Sequence, residues 1–328
     1  MKDFIKSKNF GIVLSHKGPD GDSLGSSIAL SSYLKKIGLD NQIIVPDIFP
    51  GFYNWLNGIG DVIVADQNLE LLKTMMDKAD VLFCLDFNHI SRVGPNIQPF
   101  LENTSKGVVV VDHHTYPQNF GDLEYIDSEA SSTCELVYQL IESNNDIHLI
   151  DKLIGQAIYT GLMTDTGSFK YSSVTPLTHK IASHLIKLGV NHSFIHEKIH
   201  DQNSFSRIKL LGYALQKISV EEDLSLAYLV LTENELDQFN YQKGDTEGFV
   251  NYCLSINNIA VAVFIKEDKD VIKISFRSKG EVKVNEFSKM YYNGGGHQNA
   301  AGAAVEKQNI NDFVEQLLIN FKSFCLNQ

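Results

Sequence analysis

Short apolar runs alternate with helical spacing along the first half of the chain. Residues 11–16 (GIVLSH), 41–46 (NQIIVP), 81–86 (VLFCLD) and 106–114 (KGVVVVDHH) read as strands. They are too continuously apolar to lie half in water. Residues 24–38 space Leu24, Ile28, Leu34 and Ile37 along a helix that stops at Gly38. Residues 131–143 (SSTCELVYQLIES) and 151–167 (DKLIGQAIYTGLMTDTG) predict two more helices, the second apolar on most sides. Val/Ile/Leu-rich strands separated by helices predict an α/β fold, with a parallel sheet covered on both faces.

The pattern changes near residue 190. Residues 184–193 end a helix, and residues 204–218 open a segment with strands of its own at 224–231, 259–268 and 271–279. The residues 268–270 (DKD) read as a hairpin turn. GGGH at 294–297 is followed by an apolar, Ala-rich return and a terminal helix over 310–324. The expected division is a catalytic domain over 1–190, a linker over 191–203 and a smaller α/β domain over 204–328. The 328 residues suit two domains, at about 100–200 residues each.

Charge and composition narrow the function. A net charge of −12 argues against a protein that coats long duplex nucleic acid, because phosphate neutralisation by Lys and Arg supplies that affinity. It leaves room for a short phosphorylated ligand on a local cationic site. Cys84, Cys134, Cys253 and Cys325 are scattered without CxxC spacing, so neither a zinc ribbon nor a disulfide framework is indicated. The N-terminus lacks a signal-peptide pattern, and no stretch approaches the ~20 apolar residues of a membrane span. A cytoplasmic protein without membrane attachment is expected.

The segment 15–27 (SHKGPDGDSLGSS) follows a strand and precedes a helix, so it lies at the carboxyl end of the sheet, where open parallel sheets bind ligands. His16, Asp20 and Asp22 fall in one tight turn built on Gly18, Pro19 and Gly21. Taken alone, the segment reads equally as a solvated Asp-Gly turn with Ser23 capping the next helix. Other segments end in the same chemistry. Asp86 closes one apolar strand, Asp112, His113 and His114 close another, and Asp165 closes an apolar helix. Asp20, Asp22, Asp86 and Asp165 held together without a cation would raise one another's pKa steeply. Two divalent ions would balance them, with His16 and His113 as neutral ligands. Carboxylates suit Mg²⁺ or Mn²⁺ and the imidazoles tilt the choice to Mn²⁺, with Co²⁺ as a further fit. Such a pair of ions clamps phosphoryl transfer.

These segments, in this order, resemble the motifs of the DHH phosphoesterase family: SHKGPDGDS, the Asp at the strand end in LDFNHISRVG, VDHHTYP and TDTGSF. FRSK at 276–279 and GGGHQNAAGA at 294–303 resemble its DHH-associated substrate domain. The likeness covers nearly the whole chain and is greatest to the oligoribonuclease and pAp phosphatase branch. It implies His16, Asp20 and Asp86 on one ion, and Asp22, Asp86, His113 and Asp165 on the other, with Asp86 bridging. It implies Asp112 behind the ligands, orienting an imidazole, and His114 facing the scissile phosphate as a donor. Asp86 and His114 are thus the expected catalytic groups. Arg92 falls near the site, while Asn88 and His89 have no role in the pattern.

The second domain is expected to choose the substrate, with the active site in a cleft between the domains. Arg277 can grip a phosphate bidentately, or form an ion pair with Glu281 or Glu286; Lys279 adds a point charge. Gly294, Gly295 and Gly296 let backbone N–H groups approach a phosphate, or form a flexible turn; His297 supplies an imidazole. Hydrolysis of short oligoribonucleotides, about two to five nucleotides long, is the leading expectation, since no extended basic track is visible. Dephosphorylation of pAp accompanies it. Cyclic or linear dinucleotides (c-di-AMP, pApA), inorganic polyphosphate, or a nucleotide sensor without turnover are the alternatives. A homodimer is the commonest assembly by base rate.

Overall fold

The apolar runs of the first half lie side by side in the computed structural model, which describes residues 1–326. The strands are β1 (Phe10–Leu14), β2 (Asp40–Val45), β3 (Ile63–Val64), β4 (Val81–Leu85), β5 (Gly107–Asp112) and β6 (Leu123–Ile126). They form one wholly parallel sheet in the order β3-β2-β1-β4-β5-β6. The short edge strands β3 and β6 carry no continuous apolar run, and the sequence reading lacks them. Alternate residues feed two cores. Val13, Phe83 and Val109 face the helices Gly21–Lys36, Thr133–Ser143 and Lys152–Asp165, while Ile12, Leu14, Leu82 and Val110 pack on the other side with Leu72 and Met76. The chain winds outward through β1, β2 and β3, then returns to place β4 beside β1. The strand order therefore reverses between β1 and β4, which is where ligands bind in open α/β sheets.

The helix expected from residue 24 starts at Gly21. Its cap is Asp20 rather than Ser23. The Asp20 carboxylate accepts the N–H groups of Asp22 (3.1 Å) and Ser23 (3.0 Å), and the Ser23 hydroxyl accepts the Asp20 N–H (3.0 Å). This reciprocal capping box draws Asp22 into the first helical turn and buries it.

The chain divides into two units, Met1–Gln202 and Asn203–Gln328. Most of the stretch read as a linker, 191–203, is a helix of the first unit, His192–His200, because the fully buried Ile195 plugs into that unit's core.

In the second unit, β7 (Ser219–Glu221), β8 (Leu226–Leu231), β9 (Val261–Asp268), β10 (Val271–Ser278), β11 (Gly295–His297) and β12 (Ala300–Glu306) form a sheet in the order β11-β12-β10-β9-β8-β7. Only β8 and β9 pair in parallel. The β9–β10 hairpin turns at Lys269 and Asp270, as the sequence predicts. One face packs on the helices Val284–Tyr292 and Ile310–Leu326, the other on Phe205–Gln216 and Phe249–Leu254.

One charge is buried in this sheet. Lys266 on β9 is 8% exposed, and its ammonium donates to the Tyr241 hydroxyl at 2.6 Å. Burial pushes its pKa down to about 8; Lys273, directly opposite on β10, and Lys243 act in the same direction, against Asp268. The unfolded chain therefore binds more protons than the folded one between about pH 8 and 10.5. Stability should rise with pH across that window. Below it, the buried ammonium costs on the order of 3 kcal/mol at about 1.4 kcal/mol per pKa unit. Lys266→Met is expected to raise the melting temperature at pH 7 by several degrees, and the gain should shrink toward pH 10. Thermal melts of both proteins at pH 7, 8.5 and 10 check this; a pH-independent difference would refute it.

Candidate metal centre

Each acidic or imidazole group of the site stands where an element stops. His16 lies two residues beyond β1, and Asp20 caps the helix Gly21–Lys36, with Asp22 in its first turn. Asp86 is the first residue after β4, Asp112 is the last of β5, and His113 and His114 follow it. Asp165 ends the helix Lys152–Asp165. All except Asp20 and Asp165 are at least nine-tenths buried.

The side chains form two groups that meet at Asp86. His16 Nε2 lies 3.7 Å from Asp20 Oδ2 and 3.4 Å from Asp86 Oδ2. His113 Nε2 lies 3.8 Å from Asp22 Oδ2, 3.7 Å from Asp86 Oδ1 and 3.4 Å from Asp165 Oδ2. Asp86 thus turns one oxygen to each group. Its backbone has φ of 66°, in the left-handed region that disfavours non-glycine residues, and its N–H donates to Val111 O at 3.0 Å. His114 Nδ1 pairs with Asp112 Oδ1 at 2.8 Å and lies 3.7 Å from Asp86 Oδ1.

The donor set fits divalent cations. Within each trio (His16, Asp20, Asp86; Asp22, His113, Asp165; Asp86, His113, His114), one ligand atom per residue lies within 4.8 Å of the others. The imidazoles are oriented for the task. His16 Nδ1 faces Lys17 O at 2.9 Å and His113 Nδ1 faces Ala130 O at 3.2 Å. A carbonyl accepts only from N–H, so in both rings a proton sits on Nδ1, and Nε2, which faces the carboxylates, is the atom whose lone pair the neutral ring would offer to a cation.

Electrostatics shows the strain of this crowding without a cation. Burial, then the charges of Asp86 and Asp165, raise the Asp22 pKa well above the usual carboxylate range. Burial alone would lower His113, but Asp165, Asp22 and Asp86 outweigh it and raise it to about 9. His16 rises likewise: burial opposes, and the Asp86 hydrogen bond with the Asp20 and Asp86 charges prevails. Asp86 is held low against its burial by its hydrogen bond with His16 and the nearby imidazoles. His114 is lowered by burial and by Arg92, which outweigh its Asp112 hydrogen bond.

Arg92, in the short turn Ile90–Val93, acts electrostatically on both His16 and His114, and its carbonyl accepts the Lys17 N–H at 2.7 Å. Asn88 and His89 have local duties: Asn88 Nδ2 donates to Thr115 O at 2.7 Å, and His89 Nδ1 accepts the Ser91 N–H at 3.2 Å.

In the second unit, Arg277 is the penultimate residue of β10, its Nη1 donating to Phe276 O at 2.9 Å, and Lys279 Nζ reaches Ile259 O at 3.2 Å. Glu286 pairs with Lys283. Ala300 lies opposite Arg277 on one side and opposite position 297 on the other, so the three positions share a sheet face. The side chain of His297 lies outside the described residues. The glycines divide. A Cβ on Gly294 would come within 2.1 Å of Ser288 Oγ, and one on Gly296 within 2.3 Å of Ala300 O. Packing alone demands those two. At Gly295 a Cβ would meet nothing within 4 Å, so packing does not require glycine there.

Sequence reading missed the supports of the site. The first turn of the helix Thr133–Ser143 aims the N–H groups of Thr133 (2.6 Å) and Cys134 (2.9 Å) at the Asp22 carboxylate. Gly21, Gly25 and Gly161 let the helices Gly21–Lys36 and Lys152–Asp165 approach closely. A Cβ on Gly25 would sit 2.5 Å from Ala157 O, and one on Gly161 2.2 Å from Cys134 Sγ and 2.6 Å from Asp22 Oδ1. The i, i+4 spacing of Gly21 and Gly25 is the signal that marks such a contact.

A buried two-group Asp/His centre at the switch point of a parallel α/β sheet defines a metal-dependent hydrolase of the phosphoesterase type. Residues 12–162 match the N-terminal domain of the DHH family and residues 223–322 its DHHA1 domain, and the chain belongs to this family. It is 26% identical over 315 residues to the bifunctional oligoribonuclease and PAP phosphatase NrnA of Bacillus subtilis, covering 96% of this chain and 94% of that one. It is 25% identical over 307 residues to the protein of the same description from Thermus thermophilus, covering 93% and 87%. A crystal structure of an exopolyphosphatase-related protein from Bacteroides fragilis superposes with a TM-score of 0.93 at 35% identity, covering 98% of this chain and 94% of that one.

Ala exceeds Gly in helix propensity by about 1 kcal/mol, which favours alanine at an exposed helical site. At position 161 the contacts oppose it. Gly161→Ala is expected to lower the melting temperature and to reduce divalent ions bound per chain, because the new methyl displaces Asp22. Metal analysis after gel filtration, alongside a thermal melt, checks this; full metal content would show that Asp22 tolerates the shift.

Proposed function

We propose that this chain is a phosphohydrolase dependent on two divalent ions, most fittingly Mn²⁺, with Mg²⁺ or Co²⁺ as substitutes, and that it degrades short oligoribonucleotides and dephosphorylates pAp. The observation that carries the reading is the Asp86 carboxylate, one oxygen turned to each of two Asp/His groups. His16, Asp20 and Asp86 would hold one ion; Asp22, Asp86, His113 and Asp165 the other. Bound ions of this kind stabilise charge on a phosphoryl oxygen and lower the pKa of water. The near-full-length likeness to proteins described as oligoribonuclease and PAP phosphatase supports the substrate class. No helix among the described residues is long and apolar enough to cross a membrane. Four free thiols, three of them buried, suit a reducing, cytoplasmic setting.

The protein's own groups divide the remaining work. Asp112 holds the Nδ1 proton of His114, so Nε2 would face the substrate, and only the protonated imidazole would donate from it to a phosphate or leaving oxygen. Arg92 adds a cation beside that imidazole. In the second unit, Arg277, Lys279, His297 and the backbone at Gly295 would grip a phosphate or base of the substrate. Gly294 and Gly296 shape that hairpin.

The test is a panel of pAp, pApA, c-di-AMP and RNA of increasing length with Mn²⁺. Catalytic efficiency should peak for chains of about two to five nucleotides and fall toward about twenty, since longer chains add no contacts and approach an acidic protein. A flat or rising profile would overturn the short-substrate reading, and c-di-AMP as the preferred substrate would move the function to cyclic dinucleotides. Arg277→Ala is expected to raise KM for pAp and short RNA about tenfold, the loss of one charge-assisted contact, with unchanged metal content. Unchanged KM would remove Arg277 from the substrate site.

A further inference from the structure

Thr133 holds two carboxylates of the centre at once. Its backbone N–H donates to Asp22 Oδ2 at 2.6 Å, and its hydroxyl donates to Asp86 Oδ1 at 2.9 Å. The residue is fully buried as the first residue of its helix, directly after the Ser132 cap, whose hydroxyl already accepts the Glu135 N–H. The hydroxyl is therefore not needed to cap the helix.

The atoms it grips are not arbitrary. Asp22 Oδ2 and Asp86 Oδ1 both face His113 Nε2, at 3.8 and 3.7 Å. The other Asp86 oxygen, Oδ2, faces His16 at 3.4 Å and carries no bond from Thr133. Asp86 also sits on a left-handed backbone, and the Thr133 hydroxyl holds its Oδ1 at 2.9 Å. We propose that Thr133 is a positioning residue that sets the Asp86 carboxylate for the Asp22–Asp86–His113–Asp165 half of the centre and leaves the His16–Asp20–Asp86 half to its own ligands. A neighbour that orients a ligand carboxylate typically governs about 10–100-fold in metal affinity. This inference rests on the two-ion reading above.

The experiment is a calorimetric Mn²⁺ titration of the metal-stripped full chain, run for wild type, Thr133→Val and Thr133→Ser, with circular dichroism in EDTA as the measure of folding. Wild type should bind in two steps; failure to do so overturns the two-ion reading itself. In Thr133→Val, which keeps the shape and loses the hydroxyl, one step should weaken about 10–100-fold while the other stays within a factor of two to three. Thr133→Ser should restore both steps. Two unchanged steps in Thr133→Val, equal weakening of both, or a serine variant that behaves like valine would each overturn the inference. Should the valine variant fail to fold, Thr133→Ala replaces it under the same criteria.

Discussion

One carboxylate organises the first unit. Asp86 offers its two oxygens to two imidazole-bearing groups, and a side chain can do so only if its backbone sits between them. The left-handed φ at Asp86 achieves this by turning the chain sharply at the end of β4. Such a conformation persists where its surroundings over-determine it. Here the surroundings are the Val111 carbonyl on the backbone N–H, the Thr133 hydroxyl on one oxygen, and His16 on the other. The strand order puts β1 on one side of β4 and β5 on the other, so His16 and His113 arrive from opposite flanks. The close helix contact at Gly25 and Gly161 then closes the fourth side with Asp22 and Asp165.

Much of this was legible in the sequence because the site residues terminate strongly apolar elements. VLFCL and GVVVV cannot be anything but buried, and the residue after a buried parallel strand emerges at the ligand-binding edge. That reasoning identified Asp86, Asp112, His113 and His114 before any contact was known. The limits are equally physical. β3 has two residues and β6 is half-buried along its whole length, so neither carries a periodic signal. The first helix starts before the expected Leu24 because Asp20 and Ser23 both cap well, and only the reciprocal bonding decides between them. Cys134, and Thr133 in part, contribute through backbone N–H groups, which every residue but proline has and no composition reveals. The helix Leu69–Lys78, by contrast, did carry a signal, in Asn68 followed by Leu72 and Met76.

The glycine run of the second unit holds positions of two kinds. Gly294 and Gly296 are fixed by neighbours that a Cβ would strike, so their presence is explained by the fold of the β11–β12 hairpin. Gly295 has no such neighbour. Gly295 pairs with Gly302 across the hairpin, and its own packing sets no demand on the side chain. In the same register, Arg277, Ala300 and position 297 lie in one row across three strands, with the smallest side chain in the middle.

Crowded carboxylates also bear on how the protein exists before it takes up ions. Asp22, Asp86 and Asp165 come from segments far apart in the chain, and their repulsion would oppose folding if all were charged. The pKa directions show how the repulsion is relieved: Asp22 is pushed toward its neutral form and His113 toward its charged form. Asp22 and His113 are therefore the groups at which protons and bound cations would compete. Loading exchanges those protons for metal, which couples affinity to pH. It would also tie the β1, β4 and β5 edges to the helix Lys152–Asp165 through one shared set of ligands. The same ions that would serve the chemistry therefore also fasten the carboxyl edge of the sheet.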